Sequence, residues 1–171
     1  GQFKANTFIT GNQYDAQVVG LDGGGFVVAW RGDGQDGSGT GVYAQRYDAT
    51  GAAAGLEFRV NTTTTNNQYQ PALTAIAGGG FIVAWYHDNA TPAPTPDLYE
   101  VFFQRYNAAG APDGTETRAS PSIAGQTSAV QSEPSIAWLN DANGGFVVVW
   151  TDNTRDGSGD GVYAQRFTAA G

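Results

Sequence analysis

The chain has 171 residues, of which 40% are hydrophobic and 14% charged, and its formal net charge is −8. This acidity argues against nucleic acid or an anionic lipid surface as the main partner, because both are bound through clustered Lys or Arg side chains. The lack of cysteine excludes disulfides, thiolate zinc sites and thiol catalysis, and no stretch of about 18 apolar residues predicts a membrane-spanning segment. Abundant Gly with few basic residues and no Cys is typical of secreted or bacterial cell-surface proteins, the localisation we predict.

Residues 3–7, FKANT, belong to a sequence pattern that is repeated later in the chain. They match FRVNT at 58–62, and NQY at 12–14 matches NQY at 67–69 with the same offset. We therefore expect the chain to begin with the last strand of a repeat unit.

Three longer phrases mark the repeats themselves. A glycine-led apolar run (GGGFVVAW, GGGFIVAW, NGGFVVVW) ends at Trp30, Trp85 and Trp150. After a polar loop, each is followed by a second run: VYAQRY at 42–47, VFFQRY at 101–106 and VYAQRF at 162–167. Self-similarity of this kind is the signature of a repeat architecture. We predict a single domain, 1–171, with three internal repeats at about 12–66, 67–130 and 131–171 and an N-terminal strand within 1–11.

Each repeat offers four short runs, named A to D here, whose β-branched and aromatic content predicts strands. Around the middle of the chain they cover 71–76 (A), 81–85 (B), 101–106 (C) and, closing the preceding unit, 58–62 (D). The order D-ABCD-ABCD-ABC gives twelve strands in three circularly permuted units. Residues 3–7 are expected to supply the D strand that the last unit lacks, either in the same chain or in a partner.

Run B determines the predicted fold class. Residues 26–30, FVVAW, do not alternate between apolar and polar, so both faces of this strand must be covered. Radially packed sheets bury both faces, and the sequence therefore predicts an all-β, β-propeller-like fold of three four-stranded repeats. A β-trefoil, also made of three units of four strands, is the alternative.

The number of repeats bears on oligomerisation. Three blades are fewer than the four to eight that usually close a propeller ring, and two chains would give six. Ring closure by a homodimer is therefore one expectation and closure within one chain is the other. Fucose-binding propeller lectins assemble rings from short chains, which is an analogy of architecture only.

The repeated phrases resemble two known families. The succession of a Pro-led strand, a Gly turn, an apolar strand, an Asp/Gly-rich loop and a VY-type strand is similar to the blade of TolB-type propellers. The tandem unit GGFVVAW…DGSG-x-GVYAQR resembles the repeats of large secreted bacterial adhesins, including ones that carry RTX calcium repeats. The second resemblance implies an extracellular location, adhesion and calcium, and it brings no established catalytic residues.

The repeated tryptophans are the first candidates for ligand binding. Trp30, Trp85 and Trp150 could stack on sugar rings, and three equivalent sites would give avidity for a polymer; alternatively, each closes the core at the end of run B. Trp138 occurs in one unit only and is either a core residue or the platform of a single site.

A Gln-Arg pair at the same place in every unit is the second candidate. The pairs are Gln45-Arg46, Gln104-Arg105 and Gln165-Arg166. The Arg donors suit sugar hydroxyls or a carboxylate. Alternatively, each Arg forms an ion pair with the Asp after the tryptophan, which is Asp33, Asp88 or Asp152.

The loops between runs B and C are candidate calcium sites, because calcium takes several carboxylate and carbonyl oxygens on a flexible loop. The candidate ligands are Asp33, Asp36 and Ser38 in the first unit and Asp152, Asp156 and Asp160 in the third. The alternative is a tight turn, in which Gly supplies positive φ and Asp bonds to the backbone.

Several residues occur outside the repeat pattern. His87 is expected in a loop, with a metal site shared with Asp88 and Asp97 as the alternative. The RGD at 31–33 is attributed to chance. Carboxylates that are not repeated would form any asymmetric site, and these are Asp97, Glu100, Glu116 and Glu133.

These observations predict a non-catalytic, secreted binding module for a glycan or cell-surface polysaccharide, with repeated sites. The first alternative is a structural or protein-interaction module of a calcium-dependent adhesin. The second alternative is a glycan-processing enzyme, which would need one raised and one ordinary carboxyl pKa in a single site.

Overall fold

The computed structural model describes residues 1–89, 98–121, 129–140 and 144–171, and these form eleven strands and no helix. The described residues thus include no helix that could cross a membrane. The strands are β1 (Gln13–Gly20), β2 (Phe26–Asp33), β3 (Thr40–Tyr47), β4 (Phe58–Arg59), β5 (Gln68–Ile76), β6 (Gly80–Asp88), β7 (Tyr99–Tyr106), β8 (Thr117–Arg118), β9 (Gln131–Trp138), β10 (Phe146–Asp152) and β11 (Gly161–Phe167).

The strands form three antiparallel sheets, one from each repeat. The first has the order β1-β2-β3-β4, the middle one β5-β6-β7-β8 and the last β9-β10-β11. Glycine pairs make the A–B turns, for example Gly78 and Gly79 with φ of 88° and 89°, where a side chain would be strained. The predicted all-β class and its repeated sheets are confirmed.

Run D is much shorter than predicted. Only residues 58 and 59 form β4, because the Asn61 side chain takes over from the backbone: its Oδ1 accepts from the Val42 N–H at 2.8 Å. Residues 3–7 form no strand, since no described strand lies beside them. Within one chain they do not complete the last sheet, which has three strands among the described residues. They pack instead at the first sheet, where Phe3 contacts Tyr47.

The core lies between the sheets. Alternate residues of β6 point to opposite sides: Phe81, Val83 and Trp85 pack against the first sheet, and Ile82 and Ala84 against the last. The non-alternating run B is therefore covered on both faces in the middle sheet, as the sequence predicts. A plain two-layer sandwich would have left one of these faces in water.

The sheets are arranged in series, with their A strands next to one another. Strand β5 contacts β1 on one side and β9 on the other. This places the A strands of all three sheets along a common line, and it determines where the candidate site lies.

Candidate functional site

Each A strand contains a bulge at the same repeat position. The pairing register shifts between Tyr14 and Gln17 in β1 and between Tyr69 and Ala72 in β5, and β9 shows the same irregularity opposite Trp150. Bulges commonly re-aim side chains next to functional sites.

The first residue of each bulge has a left-handed backbone although it is not glycine. Asp15, Gln70 and Glu133 have φ of 57°, 47° and 54°. Such a conformation costs on the order of 1 kcal/mol or more per residue and is concentrated at functional sites. The same conformation recurs at this position in all three sheets.

The three bulges line one cavity of about 380 Å³. Its walls are Asp15, Gln17, Gln70, Pro71, Ala72, Glu133, Pro134 and Ser135. Two carboxylates and two amides therefore face a space bounded by three A strands. These groups can accept from and donate to a polar ligand.

A half-exposed aromatic cluster adjoins the Asp15 side of this cavity. Arg31 lies 3.5 Å from the Asp15 carboxylate, and its guanidinium stacks over Tyr14 at 4.0 Å and Tyr69 at 5.1 Å. Tyr69 in turn contacts Tyr86, with ring centroids 5.0 Å apart. Arginine over tyrosine rings is a cation–π arrangement, which here orders the side chains around Asp15.

Hydrogen bonding and burial set the protonation of this cluster. The Tyr14 hydroxyl donates to Asp33, which raises the pKa of Tyr14 and lowers that of Asp33. Burial raises the pKa of Tyr69, and it raises the pKa of Tyr86 to about 12. These phenols therefore stay neutral and keep a hydroxyl donor at physiological pH.

The three repeated tryptophans lie behind the bulges and not in the cavity. Trp30, Trp85 and Trp150 are buried, each opposite the bulge in its own sheet. This placement matches the core role weighed for them and leaves no free ring face for a ligand. Trp138 is half-buried and packs against the core between the middle and last sheets.

The Gln-Arg pairs join neighbouring parts of the fold. The buried Gln45 and Gln104 amides donate to backbone carbonyls of their own C–D turns. Arg46 donates to the Ala108 carbonyl of the next sheet, and Arg105 to that of Ala170 at 2.8 Å.

The predicted Arg–Asp pairing is wrong for these two sheets, because Arg46 and Arg105 reach across to the next turn. Arg105 pairs with Asp113. In the last sheet Asp152 pairs with Arg155, while Gln165 and Arg166 lie on the exposed β11.

The six predicted calcium ligands do not converge. No group of three or more His, Asp or Glu side chains comes together in the described ranges. Asp36 and Asp156 each accept from the backbone N–H two residues ahead, that of Ser38 or Ser158, as turn residues do. Both oxygens of Asp152 are used by protein donors, and Asp160 is exposed. Asp33 is held by Tyr14 and Asn12.

Three polar atoms in or next to the first B–C loop are not satisfied. Asp36 Oδ2, Gln35 Oε1 and the Tyr43 hydroxyl are buried, and none has a hydrogen-bond partner among the described residues. A Cβ on Gly41 would lie 2.9 Å from that hydroxyl and 3.1 Å from Asp36 Oδ2, so these two atoms face one small space, and Gln35 Oε1 lies next to Gly32.

The unrepeated residues are scattered. His87 is buried in β6 and bonds to the Thr65 carbonyl, so its predicted loop position is wrong. Asp97, proposed to join it and Asp88, lies outside the described residues. Glu100 pairs with Arg118, and Glu116 accepts from Thr62. Of the described members of this group, only Glu133 reaches the cavity.

Sequence reasoning did not find Asp15, Gln70, Arg31 or the tyrosines as site residues. The signal was present in the repeated NQY phrase, whose tyrosine precedes the bulge in the first two repeats. The bulge itself is a backbone feature, and the residue types of Asp15 and Gln70 do not predict it. Arg31 and Asp33 belong to the RGD tripeptide, which lies within strand β2.

Comparison with known proteins gives a fold but no family. No protein-family model matches the chain, and no curated protein matches it. A solved protein of unknown function from Dyadobacter fermentans is similar in structure, with a TM-score of 0.63 and 13% identity over 93% of this chain and 52% of that one. An endo-arabinase from Bacteroides thetaiotaomicron has a TM-score of 0.48 and 12% identity over 91% and 56%. The chain thus spans about half the length of the solved chains it matches.

Proposed function

We propose that the chain is a non-catalytic binding module for a glycan and that the cavity at the three bulges is its binding site. The observation that carries the proposal is the convergence of Asp15, Gln70 and Glu133, each in a left-handed backbone, on one cavity. Strain that recurs at a polar cavity is maintained for function more readily than for stability, since glycine would remove it.

The chemistry of the lining suits a sugar. Carboxylates and amides bond well to neighbouring hydroxyls, and the aromatic cluster beside Asp15 adds apolar surface next to them. The neighbouring cation, Arg31, is neutralised by Asp15 and by the ring faces, so the site has no excess positive charge for phosphate. The site is single and central, which replaces the earlier expectation of one site per repeat on the tryptophans.

We extend the fold proposal to a β-propeller-like arrangement, with the A strands innermost. Its support is the serial packing of three sheets and the contacts of β5 with both β1 and β9. In such an arrangement the cavity lies on the propeller axis, where ligands of radially packed sheets commonly bind. The resemblance to adhesin repeats agrees with a secreted or surface-exposed module.

The test is a glycan array followed by titration calorimetry on the best-binding oligosaccharide. Glu133→Gln and Asp15→Asn should each weaken binding by about 10-fold or more, the cost of losing a hydrogen bond to a charged group. Asp160→Asn is the matched control, because it removes the same charge from an exposed loop. Equal affinity in all three variants would refute the site, and turnover of an oligosaccharide would make the module an enzyme.

The unsatisfied oxygens in the first B–C loop favour a second function, calcium-dependent stiffening of an adhesin module. We propose that Asp36 Oδ2 and Gln35 Oε1 contribute to a calcium site beside Tyr43. Calcium at 1 mM should then raise the melting temperature by roughly a few degrees over EDTA, by preferential binding to the folded state. Asp36→Asn should abolish the shift and Asp156→Asn should not; an absent shift in the unmodified protein would remove calcium from the account.

A further inference from the structure

Strand β11 has an exposed outer edge and face, unlike the two strands equivalent to it. Val162 is 82% exposed, whereas Val42 in β3 and Val101 in β7 are 0% exposed. Strands β3 and β7 each carry a D strand and a following sheet, while β11 pairs only with β10 in the described part of the chain.

The D segment covers strands β3 and β7 by the same bonds. In the first sheet the Val60 N–H donates to the Val42 carbonyl at 2.7 Å, and the Val42 N–H donates to Asn61 Oδ1 at 2.8 Å. In the middle sheet the Ala119 N–H donates to Val101 at 2.7 Å, and the Val101 N–H donates to Ser120 Oγ at 3.0 Å. A D segment thus needs a free strand C edge and a small polar side chain.

Residues 3–7 already hold the geometry of a D segment. Phe3 contacts Tyr47 with ring centroids 5.2 Å apart and planes at 51°, and Phe58 contacts Tyr106 at the same distance and angle. Thr7 bonds to Glu57 through its N–H and hydroxyl, as Thr62 does to Glu116.

Asn6 completes this match. Its amide donates to Gln13 at 3.0 Å, and that of Asn61 donates to Gln68 at 2.8 Å. Residues 3–6 correspond to residues 58–61, which pair with β3. In residues 3–6 this pairing side is still available, and Phe3 is 53% exposed.

The sheet faces at the two ends are complementary in the same way. Leu73 packs on the first sheet, against the cluster that contains Val27 and Ala29. Its counterpart Val18 is 67% exposed, and the counterparts of Val27 and Ala29 in the last sheet, Val147 and Val149, are only half-buried. The first sheet therefore exposes an apolar residue, Val18. Its counterpart Leu73 packs on the kind of face that the last sheet leaves half-buried.

We propose that β11 is covered by residues 3–7 of a second copy of this chain, and that two such contacts close a ring of two chains. Ala5 N–H would donate to the Val162 carbonyl and Val162 N–H to Asn6 Oδ1, with Val18 packed on Val147 and Val149. Lys4 takes the place of Arg59 and would lie opposite Tyr163, next to the acidic loop of Asp156. The contact repeats the interface between the first and middle sheets, so its geometry is already realised in the chain.

Closure would also complete the candidate site. Strand β1 of the second copy would lie next to β9, so both copies would contribute Asp15, Gln70 and Glu133 to one central cavity. This consequence rests on the proposed function, whereas the interface itself does not. The Dyadobacter chain, of which this chain covers 52%, has about the length of two copies.

Light scattering after size-exclusion chromatography, without ligand, tests the interface. The unmodified protein should have about twice the 17.8 kDa of one chain, and Val162→Arg and Asn6→Leu should each give the mass of one chain. Leu56→Arg is the matched control, since Leu56 is 88% exposed and belongs to neither residues 3–7 nor β11, and it should remain a dimer. A monomeric unmodified protein, a dimeric Val162→Arg variant or a series of growing polymers would overturn the proposal.

The two proposals fail separately. If Val162→Arg is a monomer and its circular dichroism spectrum matches that of the unmodified protein, the variant has lost the interface and not the fold. A protein that is dimeric but binds no oligosaccharide on the array would refute the glycan site and keep the interface. A monomeric variant that binds the oligosaccharide as tightly as the unmodified protein would support the glycan site. It would refute the proposal that a second copy completes that site.

Discussion

Strands β3 and β11 share the residues VYAQR in the same register of their sheets, but one is buried and the other exposed. The difference arises from what lies beside them: β3 has β4 and the middle sheet next to it, and β11 has neither among the described residues. Burial in this fold is therefore a property of the sheet-to-sheet contact. A strand that keeps the residues of a buried strand while exposed indicates a surface that another sheet covers.

The largest expected effect comes from placing the same charge in both strands. Val42→Arg should destabilise the fold by about 4 kcal/mol or more, because it buries an unpaired charge between two sheets. Val162→Arg should leave the folded chain intact, since its side chain can reach water. Circular dichroism during thermal unfolding measures both, and a Val162→Arg chain that loses its folded spectrum would show that β11 is buried within the single chain.

Asp152 and Asp33 are the carboxylates that follow the tryptophan in the last and first sheets, one register position apart. Asp152 is buried and accepts from Gln131, Thr154 and Arg155, whereas Asp33 is half-buried and bonds mainly to Tyr14 and Asn12. Asp152→Asn should lower the free energy of unfolding by about 3 kcal/mol, because it leaves buried donors and Arg155 without their charged partner. Asp33→Asn should cost about 1 kcal/mol. Urea unfolding measures both, and a smaller loss for Asp152→Asn would contradict this ranking.

The same carboxylate predicts an acid sensitivity. Burial alone would raise the pKa of Asp152, but hydrogen bonds from Gln131, Thr154 and Arg155 outweigh it and hold the pKa below the ordinary 3.8. A lowered folded-state pKa gives stability that is present above the unfolded-state pKa and lost as the pH falls through the folded-state value. The urea midpoint should therefore fall as the pH drops below about 3.8, with a shallower fall in Asp152→Asn. Identical pH profiles would assign the acid sensitivity to other carboxylates.

The smallest effect concerns backbone strain at the bulges. Gln70, which directly precedes Pro71, has a positive φ, and only glycine adopts such an angle easily. Gln70→Gly should therefore raise the free energy of unfolding by up to about 1 kcal/mol. Ala72→Gly in the same strand, where φ is not positive, should lower it by about 0.5–1 kcal/mol. Thermal unfolding of the two variants gives the signs, and a destabilised Gln70→Gly would show that the side chain, not the strain, dominates there.

Much of the architecture was predictable because it depends on repeated patterns. The repeated phrases predicted the β-strands of the three sheets, although residues 3–7, the expected twelfth strand, form none, and the lack of alternation in residues 26–30 predicted two covered faces. The short D strand was not predictable, because it depends on the Asn61 side chain replacing a backbone acceptor. The sequence shows an asparagine there but not which way its amide points.

The site was predicted less well, for a similar reason. From the sequence, a tryptophan at the end of a strand is equally consistent with a core residue and with a stacking platform for a ligand. For Trp85 the buried position opposite the bulge identifies it as a core residue. Asp15 and Gln70 differ in type, so the repeat comparison did not group them. What they share is a backbone angle, which no residue type specifies outside glycine and proline.

The central claim, that a second copy continues the sheet series across β11, is tested most directly by a cysteine trap. Arg59 pairs with Tyr43 in the first sheet, so Lys4 of one copy should pair with Tyr163 of the other at a spacing that permits a disulfide. The chain has no cysteine, so in the Lys4→Cys, Tyr163→Cys double variant every disulfide joins two introduced cysteines, and peptide mapping identifies the link between positions 4 and 163. The account predicts a disulfide-linked dimer under non-reducing conditions, absent when Leu56→Cys replaces Lys4→Cys. An oxidised double variant that stays a monomer, or cross-links no better than the control, would contradict it.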